Sequence, residues 1–502
     1  MPSLDLVAIF YAAVLAALMF SFRLRTARSM VPLPPGPRKL PLVGNLLEMP
    51  TSLEWETYSG GPATTVNSDI IHVNAAGTSI VVLSSMEAAE ALLEKRSSIY
   101  SDRPSFAMID LMKWDFHLGE PTSRARTNRR LFVQTFNVAS AKNFRPKERA
   151  ATHGLLRRLL HTPEAYRAHS KQVVGEVAMS VAYGIDVLPK DDPYISLGEQ
   201  AIQSGNDASL PGKFLVDWIP VLKYIPEWFP GAAFKRQVRN WRELAHALTD
   251  LPFAEVKRQL AAGTAPHSFA TESLQHLSES SSDGAYYPSM YSAGADTLTA
   301  TLTALFLALL ANLQAQRKAQ AEIDKVVGMG HLPSFGDEEA MPYVSALVKE
   351  LMRWWTVTPL ELHRSVPIPH FLAVEEAYRG YGVPAGSIVI GNVWAILYDE
   401  TTYSDPFVFK PERYLLDGKP NPDMPDPRIA FGFGRRICPG RHMVASTVWI
   451  TVVSVLATFE VAKAIEPARR GGLIIAPLPF KCSILPRSRA AVESIEARAH
   501  DI

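Results

Sequence analysis

Cysteine is scarce in this chain, with two in 502 residues. One of them, Cys438, lies in the stretch Phe431-Gly432-Phe433-Gly434-Arg435-Arg436-Ile437-Cys438-Pro439-Gly440. Directly after it, the apolar run from Met443 to Phe459 reads as a helix. A thiolate persists only near positive charge or N–H donors. A helix start supplies both, through unpaired amides and the positive end of its dipole. Gly434 and Gly440 carry no Cβ, so a flat cofactor can lie against the backbone there. Arg436 is placed to pair with a carboxylate on such a cofactor. The competing reading of any lone cysteine is a small buried hydrophobe.

The whole spacing Phe-x-x-Gly-x-Arg-x-Cys-x-Gly is filled, by Phe431, Gly434, Arg436, Cys438 and Gly440. It resembles the haem-binding loop of the cytochromes P-450, the haem-thiolate monooxygenases. The resemblance implies a mainly α-helical fold with a small β region, the cytochrome P-450 fold, preceded by an N-terminal transmembrane helix. It implies haem b (iron protoporphyrin IX) with Cys438 as axial ligand of the iron. Thiolate ligation pushes electron density onto the iron and favours O–O cleavage.

A second segment, Ala293-Gly294-Ala295-Asp296-Thr297, resembles the oxygen-binding turn of that family. By the resemblance Gly294 lets the helix open over the iron, Thr297 hydrogen-bonds dioxygen and Asp296 relays protons. O–O cleavage needs protons at the distal oxygen, which a hydroxyl beside an acid can deliver. Arg129 matches the arginine of a Trp-x-x-x-Arg motif that touches a haem propionate, but the tryptophan position holds Ala125. His363-Arg364 resembles the strand that donates another propionate contact. Glu350 and Arg353, with Arg413 in Pro411-Glu412-Arg413-Tyr414, resemble a structural triad holding the haem-side core.

These residues need elements to position them. Glu350 and Arg353 face each other at i, i+3 on a predicted helix from Pro342 to Trp355, among apolar neighbours that point to burial. Asp296 is the only formal charge between Tyr286 and Arg317. That stretch reads as a helix buried on all sides, in preference to a second transmembrane span, because intramembrane acids are rare. Ile70 to Val73 and Ser79 to Leu83 read as a hairpin across Asn74-Ala75-Ala76-Gly77, and Met86 to Lys95 as a short helix. Tyr381 to Ile390 and Asn392-Val393-Trp394 read as strands and a turn. Phe106 to Phe116 is apolar but irregular, either ordinary core or, by the resemblance, the roof of the haem pocket. Phe214 to Phe229 is rich in aromatics and reads as membrane contact or a buried loop; the resemblance makes it the access lid. Phe234 to Glu243 reads as an amphipathic basic helix. Arg124, Arg126, Arg129 and Arg130 form either a solvated basic face or, by the resemblance, a docking helix for a reductase. Cys482 reads as core.

Leu6 to Phe22 is an uncharged run followed by Arg23, Arg25 and Arg28. Basic residues on that flank keep it cytoplasmic. The expectation is a single-pass anchor over 1–22, a basic proline-rich hinge over 23–40 and a haem-thiolate catalytic domain over 41–502. The body would face the cytosol from the endoplasmic reticulum membrane. A net charge of +1 argues against nucleic acid as a partner, and two cysteines exclude a disulfide scaffold. Gly432-x-Gly434 lacks the third glycine of a dinucleotide loop, since position 437 is Ile. No phosphate loop is visible either, so electrons must come from another protein, which the resemblance implies is NADPH-cytochrome reductase. The expected reaction inserts one oxygen atom from O2 into a lipophilic substrate. A terpenoid or other secondary metabolite fits the resemblance to fungal members; polycyclic aromatic or steroid-like compounds are the rival. Two other classes stay open. One is a haem-binding protein with weak or lost oxygenase activity, motivated by Ala125. The other is a haem-thiolate isomerase or dehydratase, against which the Asp296-Thr297 pair speaks.

Overall fold

Two β-branched stretches, Ile70–Ala75 (β1) and Thr78–Leu83 (β2), pair antiparallel with Ile70 opposite Leu83 and Ala75 opposite Thr78. Their turn is Ala76-Gly77 alone, at φ 48° and 95°. Positive φ at both positions matches the twist of the flanking strands, so the hairpin is tighter than the four-residue connection expected. The computed structural model describes residues 31–41, 43–50, 53–59, 68–104, 107–114, 123–208, 213–276, 287–360, 369–464 and 476–497. Leu6 to Phe22, His363 and Arg364 lie outside the described residues.

The chain divides into two units. The first comprises Met1–Pro104, Pro369–Ile396 and Phe433–Arg436; the second comprises Ser105–Ile368, Leu397–Gly432 and Ile437–Ile502. In the first, β3 (His370–Phe371), β4 (Glu376–Tyr378), β5 (Tyr381–Val383) and β6 (Ile388–Gly391) follow the hairpin. The sheet order is β1-β2-β6-β3, with β2 and β6 parallel, and β4 pairs with β5 separately. Val81, Val82, Leu83, Val389 and Ile390 are wholly buried, which is why these strands read as continuous apolar runs. After Ser85 caps it through the Ala88 N–H, Met86–Ala89 passes into a wider turn at Glu90–Glu94. Val393–Leu397 is a helical turn, not a strand, because Asn392 Oδ1 accepts the Ala395 N–H at 3.1 Å and caps it.

The second unit is helical. Its helices are α1 (Ala107–Met112), α2 (Ser123–Thr135), α3 (Arg145–His161), α4 (Tyr166–Tyr183), α5 (Pro193–Ala208), α6 (Ala233–Ala261), α7 (Phe269–His276), α8 (Tyr287–Ala311), α9 (Leu313–Val327), α10 (Pro342–Trp354), α11 (Arg441–Thr458) and α12 (Arg489–Ala497). Two small ribbons complete it, β7 (Leu415–Leu416) with β8 (Lys419–Pro420) and β9 (Phe459–Ala464) with β10 (Cys482–Pro486). α8 packs on α4 and α11, and α11 on α3. Both α8 and α11 are apolar enough to cross a membrane by length and composition, yet they are mostly buried inside this unit. α8 is thus a core helix, as expected. Three expectations change. Phe106 to Phe116 contains the helix α1. The basic helix runs to 29 residues instead of ending at Glu243. Phe214 to Phe229 holds a single turn, Leu215–Trp218, and a 3-10 turn, Pro220–Tyr224.

Candidate active site

The loop before α11 closes on itself within the second unit. The Cys438 N–H donates to Phe431 O at 2.8 Å, and Arg441 Nη1 donates to Cys438 O at 3.1 Å. Gly440 is the residue before α11, and its C=O accepts the Val444 N–H at 2.9 Å. Burial pushes the half-buried Cys438 thiol up. The backbone N–H groups of Gly440 and Arg441 and the charges of Arg129 and Arg441 pull it down. The sulfur therefore sits beside a helix start and two guanidinium groups that pull toward the thiolate, against the larger effect of burial. Arg129, on α2, donates from Nη2 to Ile437 O at 2.5 Å. It steadies the loop backbone beside the sulfur. Ala125 belongs to the same helix.

The predicted oxygen-binding segment lies in an unbroken stretch of α8. Thr297 Oγ1 donates to Ala293 O at 2.8 Å, a back-bond that widens a helix without breaking it. Ala293 is exposed and Gly294 half-buried, and no neighbouring heavy atom lies within 4 Å of where a Gly294 Cβ would be. Asp296 points elsewhere, toward α4 and α5. Burial pushes its carboxyl up; Lys171 and a hydrogen bond from Asn206 pull it down, and Glu199 adds to the rise. Lys171 and Glu199 are themselves paired at 2.7 Å.

Four residues of the same loop, Phe433 to Arg436, count with the first unit. There Gly434 has φ 52°, and a Cβ on it would stand 2.1 Å from Leu93 O. Its missing side chain admits a neighbouring backbone on that face. Phe433 is wholly buried beside Gly391. Arg436 Nε donates to Ser101 O at 2.7 Å. At Gly440, in the second unit, the nearest atom to a would-be Cβ is Cys438 Sγ at 4.0 Å.

Glu350, Arg353 and Arg413 come together as one buried cluster. Arg353 Nε and Nη2 each donate to a Glu350 oxygen at 2.8 Å, and Arg413 Nε lies 3.0 Å from Glu350 Oε2. Other guanidinium protons go to the carbonyls of Leu397 and Pro406 from Arg353, and of Ser404, Asp405 and Val408 from Arg413. The cluster ties α10 to the loop 397–413 through backbone acceptors, which is a structural arrangement with no group left over for chemistry.

A thiol held at a helix start, an open glycine face on a core helix and a buried Glu-Arg-Arg cluster now stand on one chain. The family model for cytochrome P450 matches residues 34–483. The chain belongs to the cytochrome P450 family. Among P450 relatives, cytochrome P450 monooxygenase 98 of Postia placenta is 43% identical over 494 residues, covering 93% of each chain. Cytochrome P450 monooxygenase ple1 of Rhodocybe pseudopiperita is 40% identical, covering 93% of this chain and 91% of its own. Tryptamine 4-monooxygenase of Psilocybe cyanescens is 36% identical, covering 92% and 94%. The P450 is accordingly a monooxygenase, an oxidoreductase, with fungal relatives. The residues present fit the family's haem. Gly440 opens toward the Cys438 sulfur and nothing else, and Gly294 opens onto free space.

Sequence reasoning did not find Glu148, Asn206 or Asp217. Glu148 sits in Arg145-Pro-Lys-Glu-Arg-Ala, which reads as a solvated string. Nothing in its neighbours signals that α11 will cover it.

Proposed function

We propose that this P450 hydroxylates a lipophilic small molecule at haem b, with electrons from NADPH-cytochrome reductase. Bound haem would supply oxygen activation at its iron. Cys438 would hold the haem iron through its sulfur, steadied by the Phe431, Gly440 and Arg441 backbone. Arg129, Arg436, His363 and Arg364 would bind or steady the propionate side. Thr297 would hold a transferable proton at Oγ1, the one it now gives to Ala293 O. Asp296, whose carboxyl holds its proton more tightly than an ordinary aspartate, would resupply that hydroxyl. Glu350, Arg353 and Arg413 would hold the core beneath. The observation that carries this reading is the Cys438 sulfur as the nearest atom to the Gly440 Cβ position.

The substrate proposal is a terpenoid or other secondary metabolite. A relative at 36% identity is named for tryptamine, so indoles belong in the same test panel. We place the anchor in 1–22, the hinge in 23–40 and the catalytic domain in 41–502, on the endoplasmic reticulum membrane. Exposed Leu215, Ile219, Val221, Tyr224, Trp228 and Phe229 support contact of the catalytic body with lipid. The test is expression with a reductase in yeast. The reduced protein with carbon monoxide is expected to give a red-shifted Soret band that Cys438→Ser abolishes, with hydroxylated products by mass spectrometry. A wild-type protein without that band would end the proposal. Asp296→Asn is expected to lower turnover about 10–100-fold and to raise the solvent isotope effect, with substrate affinity unchanged.

A further inference from the structure

Glu148 is wholly buried in α3, and nothing described so far uses its carboxylate. Ser446 Oγ donates to Oε2 at 2.6 Å, and Thr447 Oγ1 lies 3.1 Å from Oε1. The same Thr447 oxygen is 3.0 Å from Met443 O. A hydroxyl has one proton to give. With the carboxylate ionised, three contacts must share two protons, and Thr447 serves either Glu148 or Met443. With a proton on Oε1 the count closes. Glu148 donates to Thr447, Thr447 donates to Met443 O, and Ser446 donates to Oε2.

Among the described residues the cation that acts on the charged form is Arg145, and it is shared. Arg145, on the same face of α3, is paired with Glu338 at 3.5 Å and lies 4.4 Å from the Phe335 ring centre. Lys142 and Glu339 act on Glu338, one step further out. Between α3 and α11 the neighbouring contact is neutral, Thr152 against Thr451 at 3.4 Å. Burial, the largest influence, pushes the Glu148 carboxyl up to about 7 against the opposing pull of Ser446, Thr447 and Arg145.

Met443 is in the first turn of α11, and the Gly440 and Arg441 N–H groups at the start of that turn act on the Cys438 sulfur. We propose that Glu148 is a positioning residue that holds a proton. Carrying it, Glu148 locks the first turn of α11; losing it, Glu148 draws Thr447 away from Met443 O and loosens the amides that steady the sulfur. The consequence at the iron rests on the haem-thiolate reading, whereas the switch in α11 does not.

The test is hydrogen exchange over residues 440–447 of the full-length protein, corrected for intrinsic rates, at about pH 6 and about pH 8, either side of the transition. Wild type is expected to exchange several-fold faster at the higher pH. Glu148→Gln offers an amide N–H to Thr447 and a carbonyl to Ser446 at every pH, so its profile is expected to be flat and slow. Glu148→Ala is expected to be fast at both. The haem midpoint potential should drift with pH in wild type across the same window and not in the Gln variant. Identical pH profiles for wild type and Glu148→Gln would overturn the proposal, even if the Ala variant fails to fold. A wild-type protein lacking the red-shifted carbon monoxide band would sink the haem reading and leave the exchange result standing.

Discussion

Glu350 accepts from Arg353 and faces Arg413 with no solvent exposure on Glu350 or Arg353. Replacing one member strands a buried charge, so Glu350→Ala is expected to cost about 3–5 kcal/mol in urea unfolding. Exchanging Glu350 and Arg353 together for apolar residues of similar volume should cost less, since no charge is then left unpaired. Glu148 gives a signed pH dependence. Its folded carboxyl is raised above the ordinary value, so the folded state holds more protons than the unfolded one between those two points. Stability from this group is complete below the ordinary glutamate range and falls as pH rises toward about 7, by at most about 3 kcal/mol. Glu148→Gln is expected to remove that slope from thermal unfolding curves. The Glu350–Arg353 pair was legible because an i, i+3 spacing carries it, while its partner Arg413 came from the resemblance. Glu148 was not legible, because its burial is decided by Ser446 and Thr447, about 300 positions along the chain.

α1 shows why an element can hide. Six residues do not hold a helix in water. Asp217 Oδ1 accepts the Met108 N–H at 3.0 Å at one end, and Arg242 Nε donates to Leu111 O at 2.9 Å at the other. Each charge has the sign that its helix end favours. Both partners come from segments more than 100 positions away, so local pattern reads Phe106 to Phe116 as irregular. Losing a cap of this kind costs about 1–2 kcal/mol, so Asp217→Ala is expected to raise amide exchange in 107–112 about 5–30-fold. Burial pushes the Asp217 carboxyl up to about 6. The closed helix then binds the proton more tightly than the opened one, so opening becomes easier as pH rises through that value. Asp217→Asn should keep the protection and lose its pH dependence. The hairpin β1–β2, in contrast, was legible from two β-rich runs with a short glycine-containing connection between them.

At the scale of the molecule, one local motif carried the family, and the helical class followed from that resemblance. The sheet order β1-β2-β6-β3 did not, because its parallel pairing joins residues 80–83 to 388–391. The exposed apolar residues from Leu215 to Phe229 support a lipid contact in addition to the proposed anchor. A chain lacking residues 1–30 is expected to sediment with phospholipid vesicles. Tyr224→Ser with Trp228→Ser should weaken that partition at least about tenfold, given the apolar area returned to water.

α8 and α11 have a consequence that precedes folding. As they leave the ribosome, these two segments present themselves to insertion machinery as acceptable spans. Their hydroxyls are weak deterrents, because Thr297, Thr299, Thr301 and Thr458 satisfy themselves on carbonyls one turn back. Asp296 is the one formal charge in its segment. A carboxylate within a nascent span is disfavoured by the translocon, most strongly at mid-span. Asp296→Leu would therefore do more than remove the proposed proton carrier. It would turn the core helix into an inserted one, and a glycosylation acceptor placed after residue 311 would report the wrong topology.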